Sequence, residues 1–302
     1  MGTGWSVKLV APATALGGAR SIVAEALDAV VAQMSTWEAD SDVSRFNAAP
    51  AGTWQALPEA LYRVLSHALA VAHDSAGAYD PTVGPLVDLW GFGPTGPRTE
   101  PPDEGAIAVA RADTGWSRIA LDPATRRARQ PGGVALDLSA IAKGFAVDLV
   151  SERLDRGGFA DHLVEIGGEL VGRGVKPDGT PWWVLLEQPP GMADRPETVI
   201  ALHGLAVATS GDYRRYFAAG GKRHAHTIDP RTGRPASHPP ALVAVLHRSC
   251  MAADALSTAL TVLGADAGMA FARERDVAAL FLVRDAAGTA EHMTPAFAAM
   301  LD

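Results

Sequence analysis

One helix-forming segment constrains this chain more than any other. In CMAADALSTALTVLG, residues 250–264, the only polar side chains besides the cysteine are Asp254, Ser257, Thr258 and Thr261. Their spacing of i, i+3, i+4, i+7 sets all four on one helical face. A face meant for water normally carries Lys, Glu or Arg. Short oxygen-bearing groups flanked by Ala, Leu, Met and Val instead predict a buried helix whose polar stripe points into an internal site. A carboxylate and a hydroxyl one turn apart suit a hard cation such as Mg²⁺, which takes few protein oxygens and completes its shell with water and substrate phosphate. The same residues are also readable as a helix start capped by Asp254, with the hydroxyls bonded back to carbonyls.

So apolar a helix needs a large core, and 302 residues with 48% hydrophobic content supply one. The formal net charge of −8 argues against a chain that holds nucleic acid or anionic membrane through its overall field. Phosphate, if bound, must be met locally. Cys250 is the only cysteine, which excludes an intrachain disulfide, and in its apolar setting it reads as a small buried hydrophobe. The start, MGTGWSVKLVAP, has neither a basic n-region nor an apolar h-region, so no leader is expected. No transmembrane segment is expected either, since no apolar run approaches the roughly 20 residues of a membrane span.

Apolar periodicity predicts helices over Ser21 to Trp37 and Leu57 to Ala76, the second with Pro58 at its start and Gly77 past its end. The Pro- and Gly-dense stretch from Ala78 is expected to be irregular but ordered to Gly93, with a mobile loop beyond. Strands are expected at residues 162–166, 182–187, 205–209, 242–246 and 278–283, with helices near Ala253 and Ala267. Short links among mixed elements favour an α+β fold over a regular βαβ array.

In ALDLSAIAKG a short strand is expected to deliver Asp137, with Ser139 as N-cap of a helix from about Ala140 to Leu154. The free N–H groups of that helix start make a seat for phosphate within reach of Lys143. Lys143 in solvent beside an ordinary capped helix is the plainer alternative. Neither G-x-G-x-x-G nor a Walker pattern is present. In KRHAHTIDPRTGRP, His226 precedes a Pro/Gly turn and could act as a general base, although His224 and His238 dilute that signal. Trp37, Tyr79, Trp90 and Phe92 could wall a planar ring or simply fill the core.

Taken in order, MGTGW, STWEADSDVSRFN, AYDPTVGPLVDLWGFG, LDLSAIAKGFAVD, EIGGEL, ATSGDYRRYF, HTIDPRTGRP and ADALSTAL resemble the ApbE family of FAD:protein FMN transferases, from residue 1 to about residue 264. The resemblance implies one T-fold-like α+β flavin transferase domain over residues 1–302, with antiparallel or mixed sheets, packed helices and an FAD cleft between subdomains. It implies Mg²⁺ held by Asp254, Thr258 and the carbonyl of Ala140, with Ser257 as a further candidate ligand. Met1, Trp37, Ala78, Tyr79, Asp80, Asp137, Lys143 and Ile228 fall where the family contacts FAD. His226 matches the histidine implicated in transfer, and Asn47 a position linked to the choice between transfer and hydrolysis. The implied reaction places FMN on a Thr or Ser hydroxyl of a separate acceptor flavoprotein and releases AMP. The family's acceptor pattern, roughly Asp-x-x-Ser/Thr-Gly-Ala-Thr/Ser, is absent from this chain. Family members are often exported lipoproteins, but with MGTGW at its start and no lipobox cysteine the chain is expected to be cytoplasmic as written, or periplasmic or membrane-anchored if a leader preceded it. An FAD pyrophosphatase and a non-catalytic flavin carrier are the rival readings.

Overall fold

Alternation of side chains along the strands fixes the architecture. The computed structural model describes residues 2–192, 197–285 and 288–300. Seven strands form the main sheet: β1 (Trp5–Leu9), β2 (His162–Ile166), β3 (Glu169–Arg173), β4 (Leu205–Gly211), β5 (Leu242–His247), β6 (Ala278–Asp285) and β7 (Gly288–Met293). They lie side by side in chain order, and every neighbouring pair is antiparallel. In β5, Val243 and Val245 turn to one face with Ala208 and Phe281. Leu242, Ala244 and Leu246 turn to the other with Val207, Leu280, Leu282 and Trp182. Both faces are covered, so β5 reads as one apolar run rather than as polar–apolar alternation.

The helices α1 (Leu16–Met34), α2 (Asp42–Ala48), α3 (Glu59–Asp74), α4 (Gly84–Leu89), α5 (Glu104–Ala112) and α6 (Ala142–Arg156) all fall between β1 and β2, and α7 (Cys250–Glu274) between β5 and β6. The buried stripes of α1, α3 and α6 meet the first turns of α7 in one cluster that includes Val23, Val30, Leu61, Leu65, Phe145, Val150 and Ala255. Helices packed on antiparallel sheets agree with the α+β expectation.

Several local expectations are corrected. Residues 134–138 form no strand, only an isolated parallel bridge from Val83 to Ala135. α6 starts at Ala142, and its N-cap is Ile141, without a side-chain cap; Ser139 does not serve. The helices near Ala253 and Ala267 are one element interrupted at Gly264, whose φ of 80° and ψ of 179° only glycine adopts readily. Beyond Gly93 the chain is irregular, but Thr95 is bonded to Asp88 through both its N–H and its hydroxyl, and Arg98 donates to the Leu89 carbonyl. By length and hydropathy α7 could cross a membrane. Ala253, Ala255, Ala259 and Leu260 are instead fully buried in protein.

Candidate functional site

α6 and α7 cross closely because Gly144 lies between them. A Cβ there would stand 2.3 Å from the Cys250 carbonyl oxygen and 2.8 Å from Asp254 Cβ. At the crossing the two helices cap each other. Asp254 Oδ2 accepts from the Gly144 N–H at 2.9 Å, supplying the acceptor that Ile141 lacks. Asp148, on α6, accepts from the N–H groups of Cys250 and Met251 at 2.8 and 3.0 Å and from the Ser249 hydroxyl. Asp254 therefore serves both as a cap and as a member of an internal polar stripe.

Lys143 reaches the same place. Its Nζ lies 2.6 Å from Glu169 Oε1 and 3.5 Å from Asp254 Oδ1. Burial works against the ammonium, but Asp254 and Glu169 outweigh it and hold its pKa above the ordinary lysine value. Burial pushes the Glu169 carboxyl up, against the pull of Lys143. Two buried carboxylates thus face one cation, and Glu169 Oε2 has no hydrogen-bond partner. Glu169 was not singled out from the sequence; its signal was a lone carboxylate directly after the Gly167–Gly168 hairpin turn, on a strand otherwise destined for the core.

The stripe on α7 divides. The Ser257 and Thr261 hydroxyls donate to the carbonyls of Asp254 and Ser257, at 2.9 and 2.8 Å, so the plainer reading holds for these two. The Thr258 hydroxyl, one turn from Asp254, has no protein partner among the described residues. Among those residues no three His, Cys, Asp or Glu side chains gather as a metal cluster. One carboxylate and one uncommitted hydroxyl still match Mg²⁺, which binds through one or two carboxylates plus substrate phosphate and water. Ala140 is half-buried just ahead of α6.

Tyr79 is buried, and its hydroxyl also has no partner. Burial, then Asp254, Asp137 and Asp80, raise its pKa well above that of a free phenol, so it remains a donor without an acceptor. Asp80 is committed to structure: its carboxylate accepts from the N–H and hydroxyl of Thr82 and from the Trp116 N–H. The Asn47 amide clamps Leu136, donating to its carbonyl at 3.0 Å and accepting from its N–H at 2.7 Å. That clamp fixes the backbone beside Asp137, whose Oδ1 accepts from the Ser139 N–H.

His226 follows the hairpin formed by Tyr216–Ala219 and Lys222–Ala225. Its Nδ1 lies 3.2 Å from the Arg215 carbonyl oxygen. A carbonyl only accepts, so Nδ1 carries the hydrogen and Nε2 presents the lone pair. Burial, then Arg215 and more distantly Lys143, lower its pKa to about 4. Lys143 is near enough for its charge to disfavour the imidazolium. Phe92 meets His226 edge-on, while Trp90, Phe217 and His224 stack behind. Trp90 is core, with its indole N–H on the Gly233 carbonyl, and it shares a cluster with Ile228. Trp37 is 63% exposed and stands apart from that cluster. Ala78 is buried beside Tyr79. Met1 lies outside the described residues.

Over residues 1–281 the sequence matches the ApbE family. A FAD:protein FMN transferase of Haemophilus influenzae is 40% identical over 273 residues, covering 89% of this chain and 79% of that protein. One from Vibrio cholerae is 39% identical over 271 residues, covering 90% of this chain and 81% of that protein. The apo form of the Pseudomonas stutzeri flavinyl transferase ApbE shares the fold with a TM-score of 0.90 at 40% identity, covering 99% of this chain and 95% of that one. The flavin transferase ApbE of Vibrio cholerae gives a TM-score of 0.91 at 35% identity, covering 99% and 96%. Sequence and fold agree along nearly the whole chain, and it belongs to the ApbE family.

Proposed function

We propose that the chain moves the FMN moiety of FAD onto a Thr or Ser hydroxyl of an acceptor protein and releases AMP, with Mg²⁺ held by Asp254, Thr258 and the Ala140 carbonyl. The observation that carries this reading is the α6–α7 crossing, where Lys143 sits between Asp254 and Glu169 at a helix N-terminus, with Thr258 one turn along α7 from Asp254 and the unpartnered Tyr79 hydroxyl within the field of Asp254. A helix start and an ammonium suit phosphate, but the surplus carboxylate would repel it. Mg²⁺ would supply the missing positive charge and polarise the phosphoryl oxygens.

Each protein group then has a role. Lys143 neutralises a non-bridging phosphate oxygen, and Glu169 keeps the ammonium aimed. The Tyr79 phenol, protonated at any physiological pH, donates to the bound nucleotide. Asn47 holds the backbone beside Asp137 in place, and Trp37, Ala78, Asp80, Met1 and Ile228 complete the FAD contacts. The acceptor hydroxyl oxygen attacks the FMN-side phosphorus, the bond from that phosphorus to the AMP oxygen breaks, and the hydroxyl proton passes to Nε2 of His226. His226 is neutral at pH 7, so the lone pair is available without prior deprotonation. An anionic nucleotide beside it raises its basicity toward the range useful for proton transfer.

The test is a mass spectrum of an acceptor domain carrying the Asp-x-x-Thr-Gly-Ala-Thr pattern after incubation with the chain, FAD and Mg²⁺. An FMN-sized gain that Asp254→Ala and His226→Ala both lose supports the reading. AMP release with an unmodified acceptor would make the chain a hydrolase, and intact FAD would make it a carrier.

A further inference from the structure

β1 is an edge of the seven-stranded sheet, with β2 its only partner among the described residues. The Gly167 N–H donates to the Gly4 carbonyl at 3.1 Å and the Val10 N–H to the Asp161 carbonyl at 2.9 Å. Antiparallel ladders alternate, so Gly4, Ser6, Lys8 and Val10 turn their backbone groups toward β2. Trp5, Val7 and Leu9 therefore direct theirs outward, and no described residue meets them. The same three side chains line a groove of about 500 Å³ whose other wall is Leu16, Ala19, Arg20 and Val23 of α1. The only charged residues lining it are Lys8 and Arg20, neither in an ion pair among the described residues, on a chain of net charge −8.

This edge runs into the candidate site. A Cβ on Gly167 would lie 2.9 Å from Thr3 Oγ1 and 3.4 Å from Lys143 Cδ, so Thr3, just ahead of β1, and Lys143 rest against one turn. The opposite edge, β7, is separated from β3, the strand of Glu169, by three strands.

We propose that β1 is the docking edge for the acceptor polypeptide, which adds to it as an extended strand. Backbone groups of the occupant pair with Trp5, Val7 and Leu9, alternate apolar side chains enter the groove against α1, and acidic side chains meet Lys8 and Arg20. Strand addition suits a transferase that must hold a flexible segment straight while one hydroxyl is presented. The proposal rests on the transferase reading above.

The probe is the soluble acceptor domain named there, with its target threonine changed to alanine so that no reaction occurs. Residue-resolved amide exchange on the FAD- and Mg²⁺-loaded chain should show Trp5, Val7 and Leu9 gaining at least about tenfold protection, while Ser6 and Lys8, already bonded to β2, change little. With the reactive acceptor, Val7→Pro removes one outward N–H without breaking a β2 bond and should raise the acceptor KM about five- to tenfold at unchanged FAD affinity. The double charge reversal Lys8→Glu/Arg20→Glu should raise it similarly, and more so at low salt. Unchanged protection together with an unchanged acceptor KM in both variants would overturn the proposal. So would protection already present in the chain alone with a doubled mass, which would assign the edge to a second copy. A wild-type chain that binds FAD but modifies no acceptor would remove the transferase reading, and this proposal with it, whatever the exchange data show.

Discussion

Asp148 and Asp254 cap each other's helices across the α6–α7 crossing: Asp148 accepts from the Cys250 and Met251 N–H groups at the start of α7, and Asp254 from the Gly144 N–H at the start of α6. Both carboxylates are buried. The exchange is asymmetric in function, because Asp254 also faces Lys143 whereas Asp148 is fully engaged by Ser249 and the α7 backbone.

That asymmetry separates stability from binding. Asp148→Ala leaves two buried N–H groups and a hydroxyl without an acceptor and should cost about 2–4 kcal/mol of unfolding free energy. Urea denaturation measures this cost. FAD affinity under native conditions should change by less than threefold, whereas Asp254→Ala should abolish the Mg²⁺ dependence of FAD binding. Equal effects of the two substitutions on FAD affinity would contradict the division.

Gly144 makes the crossing possible, and its replacement tests how tightly the crossing is built. Gly144→Ala places a methyl group 2.3 Å from a backbone oxygen that cannot yield without moving α7. The cost should be about 1–3 kcal/mol, with metal-supported FAD binding impaired as Asp254 shifts from the α6 start. A variant with wild-type thermal stability and FAD affinity would show that the helices separate freely.

The stripe on α7 was legible because no other pattern puts four short polar groups on one face of an apolar helix. Asp254 is legible for that reason, Lys143 by its place in the first turn of the helix that follows ALDLS, and β2 and β5 by their apolar runs. What stayed hidden depends on tertiary geometry. Nothing local marks Glu169 as the partner of Lys143, since the pair meets only when β3 passes the start of α6. Asp148 reads as an ordinary residue of an amphipathic helix until α7 arrives. Ser139 resembles an N-cap because it sits where one is common, but the cap comes from Asp254, 110 residues from the Gly144 N–H that it accepts. The edge position of β1 was equally invisible, because strand order is not written in any one strand.

His226 gives a prediction about pH. Its folded pKa of about 4 lies below the unfolded value of 6.5, so the fold favours the neutral imidazole. The stability this contributes is complete above pH 6.5 and is lost as pH falls through about 4. Histidine ring resonances in the FAD-free chain should include an imidazole titrating near pH 4 that His226→Gln removes. Titration near 6.5 would mean that His226 is open to water and free of the influence of Lys143 and Arg215.

Glu169 is where a charge-only change should be most informative. Lys143 is closer to Glu169 than to Asp254, so Glu169 draws the ammonium away from the carboxylate proposed to bind Mg²⁺. Glu169→Gln retains size and hydrogen-bonding capacity but removes the charge, and Lys143 then turns to Asp254 and competes with the cation. Mn²⁺ binding followed by electron paramagnetic resonance, with no FAD present, should weaken about tenfold, with partial recovery in Glu169→Asp. A residue that merely filled space would leave Mn²⁺ affinity unchanged in the glutamine variant. Tighter Mn²⁺ binding would show instead that Glu169 holds the ammonium against the cation site and that Lys143 swings away from Asp254 without it.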